Sequence, residues 1–525
     1  MSRFVRASKY RHVFGQQGKK EYSVDNVKVS ASAWDTNLIA ASSRYISVNW
    51  NASGGGAFAI LPLPSPFQPL PFGFPSKLPD LIPLARSHTG PVLDTDWSPF
   101  NDALVASAGE DGKAMIWKVE DSVFDGWNAD GWEPRDFDPV ARIDVSPRRV
   151  GQVLFHPTAA NVLATTTGDH VVKLWDLENS ESARVTLGGH GDAIQSLAFN
   201  PTGNVLVTTC RDRKIRLFDP RAGGDAVRVT EGHGGIKGAR VVWMGDRDNI
   251  ATTGFSKMSD RQVAVWETGS LNNMRMTTID QTSGVLMPFW SDNNILFLAG
   301  KGDGNIRYYE WENDNLFALA EYKSSDPQRG MCFLPRRALN VSDCEIARAY
   351  KVAGSSIEAI AFIVPRKSDS FQSDIYPPAP SSEPALSAGE FFAGKTAPAK
   401  LVSLENGAIS DAPKSTPAPA PQSAPAPTRT ASAPESTPAS APAPAALAPA
   451  PAPAVTKAPE PYPATEDKTP VRSQPTDDHA VAALKEENAR LNAELREARA
   501  QIRNLELQVE SIRTNARKAA ALLDS

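Results

Sequence analysis

The side chains best suited to proton transfer are two histidine–aspartate sets, His88 with Asp111 and His190 with Asp212. A carboxylate beside an imidazole fixes its tautomer and supports its protonated form, the arrangement a general base needs. A nucleophile would have to complete the set, and no nucleophile elbow occurs. The 7 histidines are scattered, with no HExxH pair and no Cys/His cluster at zinc-ligand spacing. Gly54-Gly-Gly56 and Gly300-Lys-Gly-Asp-Gly304 lack the GxxxxGK[ST] spacing of a phosphate cradle and lead into no helix, so they read as turns. Cys210, Cys332 and Cys344, odd in number and irregular in spacing, suit neither a disulfide framework nor a metal site. The expectation is a protein without enzymatic activity, metal or cofactor, in which His88, Asp111, His190 and Asp212 are structural.

Binding chemistry is concentrated near the N-terminus. Arg3, Arg6, Lys9, Arg11, Lys19, Lys20 and Lys28 stand against only Glu21 and Asp25, a local basic cluster suited to an acidic protein surface. Lys28, Lys20 and Lys19 are the leading candidate contacts; Arg11, beside aromatic Tyr10 and Phe14, has a weaker claim. The 525-residue chain as a whole carries a net charge of -5, and no helix bears a basic stripe, which argues against a nucleic-acid reader. No signal peptide is evident, and no stretch reaches the roughly 20 apolar residues of a membrane helix. The chain reads as cytosolic.

Short β-type runs position these residues. Tyr45–Trp50, 205–210, 215–218 and 263–266 are apolar or alternating and lie close to Gly, Asp or Asn. They recur with a plan. Ser87-His88 opens a segment that passes Asp111-Gly112 and ends at Trp117-Lys118; Gly189-His190 opens another that passes Asp212 and ends at Phe218-Asp219. Between them, Gly168-Asp169 and Trp175-Asp176 follow the same plan, and later copies end at Trp266 and Tyr309. This is close to the WD-repeat period, in which each repeat builds a four-stranded blade of a β-propeller. The histidine and turn aspartate of each repeat are expected to hydrogen-bond within a blade, with Trp117, Asp169, Trp175 and Trp266 as further structural positions. Five blades are legible.

Composition then changes twice. Residues 403–478 alternate Pro and Ala, as in Ala446-Leu-Ala-Pro-Ala-Pro-Ala-Pro453, and bury too little apolar surface to offset ordering entropy, so a disordered linker is expected. In 479–525 an a/d heptad appears, with Asn488, Leu495, Ile502 and Val509 on one row and Leu484, Leu491, Leu505 and Ile512 on the other. Such a seam would be wet in a lone helix, so a homo-oligomeric coiled coil is expected. Asn488 in the core favours a dimer. Gln501-Ile502-Arg-Asn-Leu505-Glu506 nearly matches a trimer-favouring motif, with Gln in place of Arg, so dimer and trimer both stay open.

Several collinear motifs lie outside the repeat positions: Ser8-Lys-Tyr-Arg-His-Val-Phe-Gly-Gln16, Val29-Ser-Ala-Ser-Ala-Trp-Asp35, Thr253-Gly-Phe-Ser-Lys-Met-Ser-Asp-Arg-Gln262, Val341-Ser-Asp-Cys-Glu-Ile-Ala-Arg348 and Val364-Pro-Arg-Lys-Ser-Asp369. With these the chain resembles the coronin family. The resemblance implies an all-β fold: a seven-bladed WD40 propeller over 1–365 whose last blade is closed by both chain ends, with an extension, 366–402, packed on its underside. It implies F-actin as partner, an actin-related-protein branching complex contacted through the coiled coil, and a place in the cortical cytoskeleton of the cytoplasm. Lys28 stands where many members have an Arg tied to actin binding, which keeps the charge but loses the bidentate fork. The apolar run 61–75 looks longer than the usual connection and reads as either a surface loop insertion or a gene-model artefact. A generic WD-repeat adaptor, in ubiquitination or vesicle traffic, would account for the repeats and the heptads but not for the collinear motifs.

Overall fold

A computed structural model of the chain describes residues 6–405 except 21–22, 54, 64–73, 125–126, 128–130 and 367–369. The chain divides into Met1–Pro419 and Ala420–Ser525, and all described residues belong to the first unit. The linker and the heptad expected over 403–525 therefore lie, apart from residues 403–405, outside the described residues, as does most of the run 61–75. Its first two residues, Leu61 and Pro62, are the buried end of a strand and so belong to blade 1 and not to a surface loop.

Seven antiparallel sheets follow one another along the described chain. Blade 1 is Ile39–Ala41, Tyr45–Trp50, Gly56–Pro62 and Leu84–His88; blade 2 is Val92–Trp97, Leu104–Gly109, Lys113–Lys118 and Pro139–Asp144. Blade 3 is Val150–Phe155, Val162–Thr167, Val172–Asp176 and Val185–Leu187; blade 4 is Ile194–Phe199, Leu206–Cys210, Lys214–Phe218 and Arg228–Glu231. Arg240–Trp243, Asn249–Phe255, Arg261–Glu267 and Asn273–Asp280 make blade 5, and Leu286–Ser291, Ile295–Gly300, Ile306–Glu312 and Asn315–Tyr322 make blade 6. Blade 7 takes Gln328–Phe333, Glu345–Ala353 and Ser356–Ile363 from the far end of the propeller and Phe14–Gln17 from the N-terminus. The first strand of each blade faces the axis and the fourth faces solvent. Second strands are buried on both faces, as in Tyr45–Trp50 and Val162–Thr167, because each blade is sandwiched between two neighbours.

Closure of the ring rests on the register Phe14↔Ile363 to Gln17↔Ile360. The closing strand also lies on the outer edge of blade 6: Val13 is buried and its carbonyl accepts from Tyr308 Oη at 3.0 Å. Tyr10 Oη accepts from Asn293 Nδ2 at 3.0 Å. Gly15 permits the approach, since a Cβ there would fall 2.8 Å from Tyr322 Cδ2.

Because strands alternate in direction, turns joining second to third strands and connections between blades share one face, here called upper. Turns joining first to second and third to fourth strands form the lower face. Residues 374–405 cross the lower face. Arg336, beyond the first strand of blade 7, donates to the carbonyls of Pro377 and Pro378. Further on, Leu386, Ala388 and Phe391 are buried against Ala159, Val162 and Phe199 of blades 3 and 4. The helix Ala388–Phe392 is started by a capping box between Ser387 and Glu390. Beneath it, His156 lies 4.3 Å from Phe391 between ring centroids. His156 Nδ1 accepts from the Thr158 and Ala159 amides, and Nε2 donates to Gly203 O at 3.0 Å, so the neutral ring is satisfied.

Two outcomes follow. Gly15→Ala should cost about 1–3 kcal/mol in urea unfolding, the usual penalty of overpacking, and much of it should vanish beside Tyr322→Ala. Burial pushes His156 down to about 4 from its ordinary 6.5. Between these values the unfolded chain binds more protons, so the stability this ring contributes is present above pH 6.5 and is lost as pH falls towards 4. Amide exchange in Ala388–Phe392, corrected for the intrinsic rate, should rise over that window; unchanged protection would refute the coupling.

Candidate functional site

The N-terminal segment climbs from the lower face to the upper one and sorts the basic cluster as it goes. Arg6, on the lower side, bridges Glu310 and Glu312 and lies 4.4 Å over the Phe317 ring. Lys9 Nζ donates to Asp374 O at 2.8 Å. Arg11, half-buried, sits in the turn before Phe14–Gln17. Lys19 and Lys20 emerge at the other end of that strand, on the upper face. The structure thus separates Arg11 from the lysines with which the sequence grouped it, because an extended strand, rising about 3.3 Å per residue, lies between.

Lys19 and Lys20 line a cleft with Lys77, Asp25, Asp326 and Glu358. Lys77 arrives by a bridge to Asp25, whose neighbour Val24 pairs with Ile357 of blade 7. Nothing in its sequence neighbourhood marked Lys77, which comes from the connection after the third strand of blade 1. Lys28 is exposed on the same face. Its backbone is fixed by the bridge Val29↔Trp50 and by Asn51 N–H donating to Lys28 O at 2.7 Å. Its ammonium lies 3.4 Å from the exposed Asp80 carboxylate, a solvent-screened pair. The amide of Asn26 and the ammonium of Lys28 hold the Asp80 carboxyl below its usual range.

From Lys28 the chain runs across the upper mouth of the axial channel, tied to five blades. Trp34 Nε1 donates to Gly151 O of blade 3 at 2.8 Å, with Arg149 stacked 4.5 Å above the indole. Asp35 pairs with Arg240 of blade 5 at 3.1 Å and with Lys301 of blade 6 at 2.7 Å. Thr36 Oγ1 donates to Leu93 O of blade 2 at 2.6 Å, and Arg329 of blade 7 donates to Ser30 O at 2.7 Å. Burial alone would raise the Asp35 carboxyl, but the two cations outweigh it and hold it low. The same burial lowers Lys301 despite Asp35.

The histidine–aspartate sets resolve differently from one another. His88 Nδ1 faces Asp111 at 3.0 Å, Nε2 meets Ser107 Oγ at 2.8 Å, and Trp117 Nε1 donates to the same oxygen at 2.9 Å. All four groups are engaged in tying the end of blade 1 to blade 2, so the bond expected within a blade here joins two. In blade 4 the expected His190–Asp212 bond is absent. Asp212 takes both oxygens to the Arg216 guanidinium, and His190 Nδ1 faces His170 O at 3.1 Å. A bidentate Arg outcompetes a neutral imidazole for a carboxylate. Blade 3 has no histidine at the position equivalent to His88: Trp175 donates to Thr165 at 3.0 Å, and Asp169 is held by Ser146 and Arg148. His233, which the Gly232-His233 pair marks in the sequence, holds the equivalent place before blade 5. Its Nε2 meets Thr252 Oγ1 at 2.9 Å, and Trp266 donates there at 2.7 Å. The hydroxyls of Ser107, Thr165, Thr208 and Thr252, each at the same strand position, were also legible in principle.

Comparison with known proteins now bears on this geometry. Residues 3–67 match a family described as a domain of unknown function, DUF1899. Residues 82–118 and 182–219 match the WD domain, G-beta repeat, and 357–399 a type of WD40 repeat. Over 409 residues the chain is 51% identical to the coronin-like protein crn1 of Schizosaccharomyces pombe, covering 77% of this chain and 65% of that relative. It is 42% identical over 416 residues to Coronin-A of Dictyostelium discoideum, covering 78% of this chain and 88% of the relative. The crystal structure of the WD40 domain from Toxoplasma gondii coronin superposes with a TM-score of 0.68 at 27% identity, over 75% of this chain and 98% of that one. The chain therefore spans just under two thirds of the length of the S. pombe relative.

Asp35→Ala should be costly, since it strands the buried Arg240 and the half-buried Lys301. Roughly 2–3 kcal/mol is expected in urea unfolding, below the range for a fully buried pair because Asp35 is partly exposed. Asp80→Ala should leave stability unchanged.

Proposed function

Because the chain belongs to the coronin family, we propose that it binds the sides of actin filaments through the upper face of its propeller, with Lys19, Lys20 and Lys28 supplying the positive contact. The observation that carries this reading is the 51% identity over 409 residues to a coronin-like protein, beside the exposure of Lys19, Lys20 and Lys28 on that face. Like its relatives, the chain is a binding scaffold and not an enzyme. An acidic filament would meet Lys28 in place of Asp80, exchanging one solvent-screened partner for a less solvated one. The segment running on from Lys28 is fastened by Asp35, so little backbone has to be ordered on binding.

The heptad over 479–525 gathers two or three propellers, and the Pro/Ala linker over 403–478 gives them reach. Linked sites raise apparent affinity through effective concentration, commonly by about 10²- to 10⁴-fold. The oligomer then crosslinks filaments, and its coiled coil engages the actin-related-protein branching complex. Function of this kind belongs in the cortical cytoplasm.

The test is cosedimentation with actin filaments of the full chain, of a chain ending at residue 405, and of Lys28→Glu in the full chain. The full chain should pellet well, the truncation weakly, and Lys28→Glu at least about ten-fold less well than wild type, a loss of the size expected for reversing a central contact. If the full chain stays in the supernatant at physiological salt, the filament reading falls and a general propeller adaptor replaces it.

A further inference from the structure

Across the axis from Lys28, two upper loops of blade 5 and one of blade 4 form a second patch to which no role is yet attached. The loop entering blade 5 presents Ile236, 64% exposed, and the turn between its second and third strands presents Met258, 84% exposed. The two loops are stacked: Gly235 N–H donates to Phe255 O at 2.7 Å, and a Cβ on Gly235 would lie 2.8 Å from Phe255 Cβ, so glycine is needed there. Gly234 lies against Lys257 in the same way. The adjacent turn of blade 4 joins through Gly232 N–H donating to Arg213 O.

Cations surround the apolar pair. Arg211, Arg213, Lys237 and Lys257 are all exposed, and Lys237 Nζ sits 4.9 Å over the Phe255 ring. Among the described residues none of the four bridges to a carboxylate. The acids close by are already engaged: Asp260 accepts from Ser256 and Gln281, and Asp212 is held by Arg216. An exposed methionine and isoleucine framed by unpaired cations are poorly hydrated on one side and uncompensated on the other. That combination fits an acidic protein segment with an apolar side chain between its carboxylates.

We propose that this patch is a second contact with the actin filament, in which Met258 and Ile236 are the apolar anchor and the four cations meet filament carboxylates. The inference rests on the filament reading and deepens it. It is supported by the shared upper face, which one broad acidic surface can meet at both patches. Apolar anchors govern how long a complex lasts, whereas the surrounding charge governs how fast it forms and how it responds to salt.

Full-length chains carrying Ile236→Ser with Met258→Ser, Arg213→Glu with Lys257→Glu, or Lys28→Glu are compared with wild type in filament cosedimentation at low and physiological salt. All the altered side chains are exposed, and unchanged melting temperatures establish intact folding. The apolar pair should lose about ten-fold in affinity at both salt concentrations. The charge pair should lose more at low salt than at high. If both pairs pellet like wild type while Lys28→Glu fails, the patch is not a filament contact and the filament reading stands. If wild type does not pellet at all, both are overturned.

Discussion

A propeller is a stack of sheets bent into a ring, and its first and last members must meet. Here they meet through four residues, Phe14–Gln17, laid antiparallel on Ser356–Ile363. Without that pairing the third strand of blade 7 would be an open edge, and its buried outer face would be wet. The pairing also decides what lies where. It passes the N-terminal chain from the lower rim to the upper, so that Arg6 and Lys9 are used as fasteners below while Lys19, Lys20 and Lys28 reach solvent above. One strand's direction therefore separates cations below the propeller from exposed cations above it in a cluster whose members look equivalent by charge.

The two faces are finished by different devices. Below, residues 374–405 cover the turns of blades 7, 3 and 4 with apolar contacts and a capped helix, using His156 as a neutral, fully hydrogen-bonded floor. Above, the residues after Lys28 close the channel mouth with ion pairs and backbone acceptors contributed by five blades. An apolar cover removes surface from recognition. A polar clamp fixes the backbone while leaving side chains such as Lys28 at the rim. The upper face consequently keeps exposed cations at its rim, while the lower face is covered by the chain itself at blades 7, 3 and 4.

Five blades were legible from sequence because blades 2 to 6 each end their third strand in an aromatic residue at a near-regular interval. Blade 1 escaped because its third strand ends in Leu61-Pro62 and a long connection follows. Blade 7 escaped because its strands come from both chain ends, and periodicity cannot see a repeat that is cut in two; only the family resemblance implied it. At the histidine and aspartate positions the His88–Asp111 pair is as the sequence reads, but the His190–Asp212 pair is not. Position alone does not reveal that Arg216 captures Asp212, because a residue four positions on, in the strand after the turn, reaches that carboxylate only once turn and strand exist. The same limit hid Lys77, which enters the mixed-charge cleft through a bridge to Asp25 that no local pattern encodes.

The clamp at Asp35 connects these points to recognition. Asp35 is the one carboxylate that ties the crossing segment to both Arg240 and Lys301, and those residues open blade 5 and turn blade 6. Blade 5 is also the blade whose upper loops carry Ile236 and Met258. The rim that presents Lys28 and the loops that present the apolar pair are therefore joined through one half-buried charge cluster rather than through separate loops. A rigid link of this sort keeps two patches at a fixed separation, which lowers the cost of engaging both on a surface that is itself rigid. It would be a handicap against a flexible partner, where adaptable loops bind better. The architecture of the upper face thus favours a rigid target.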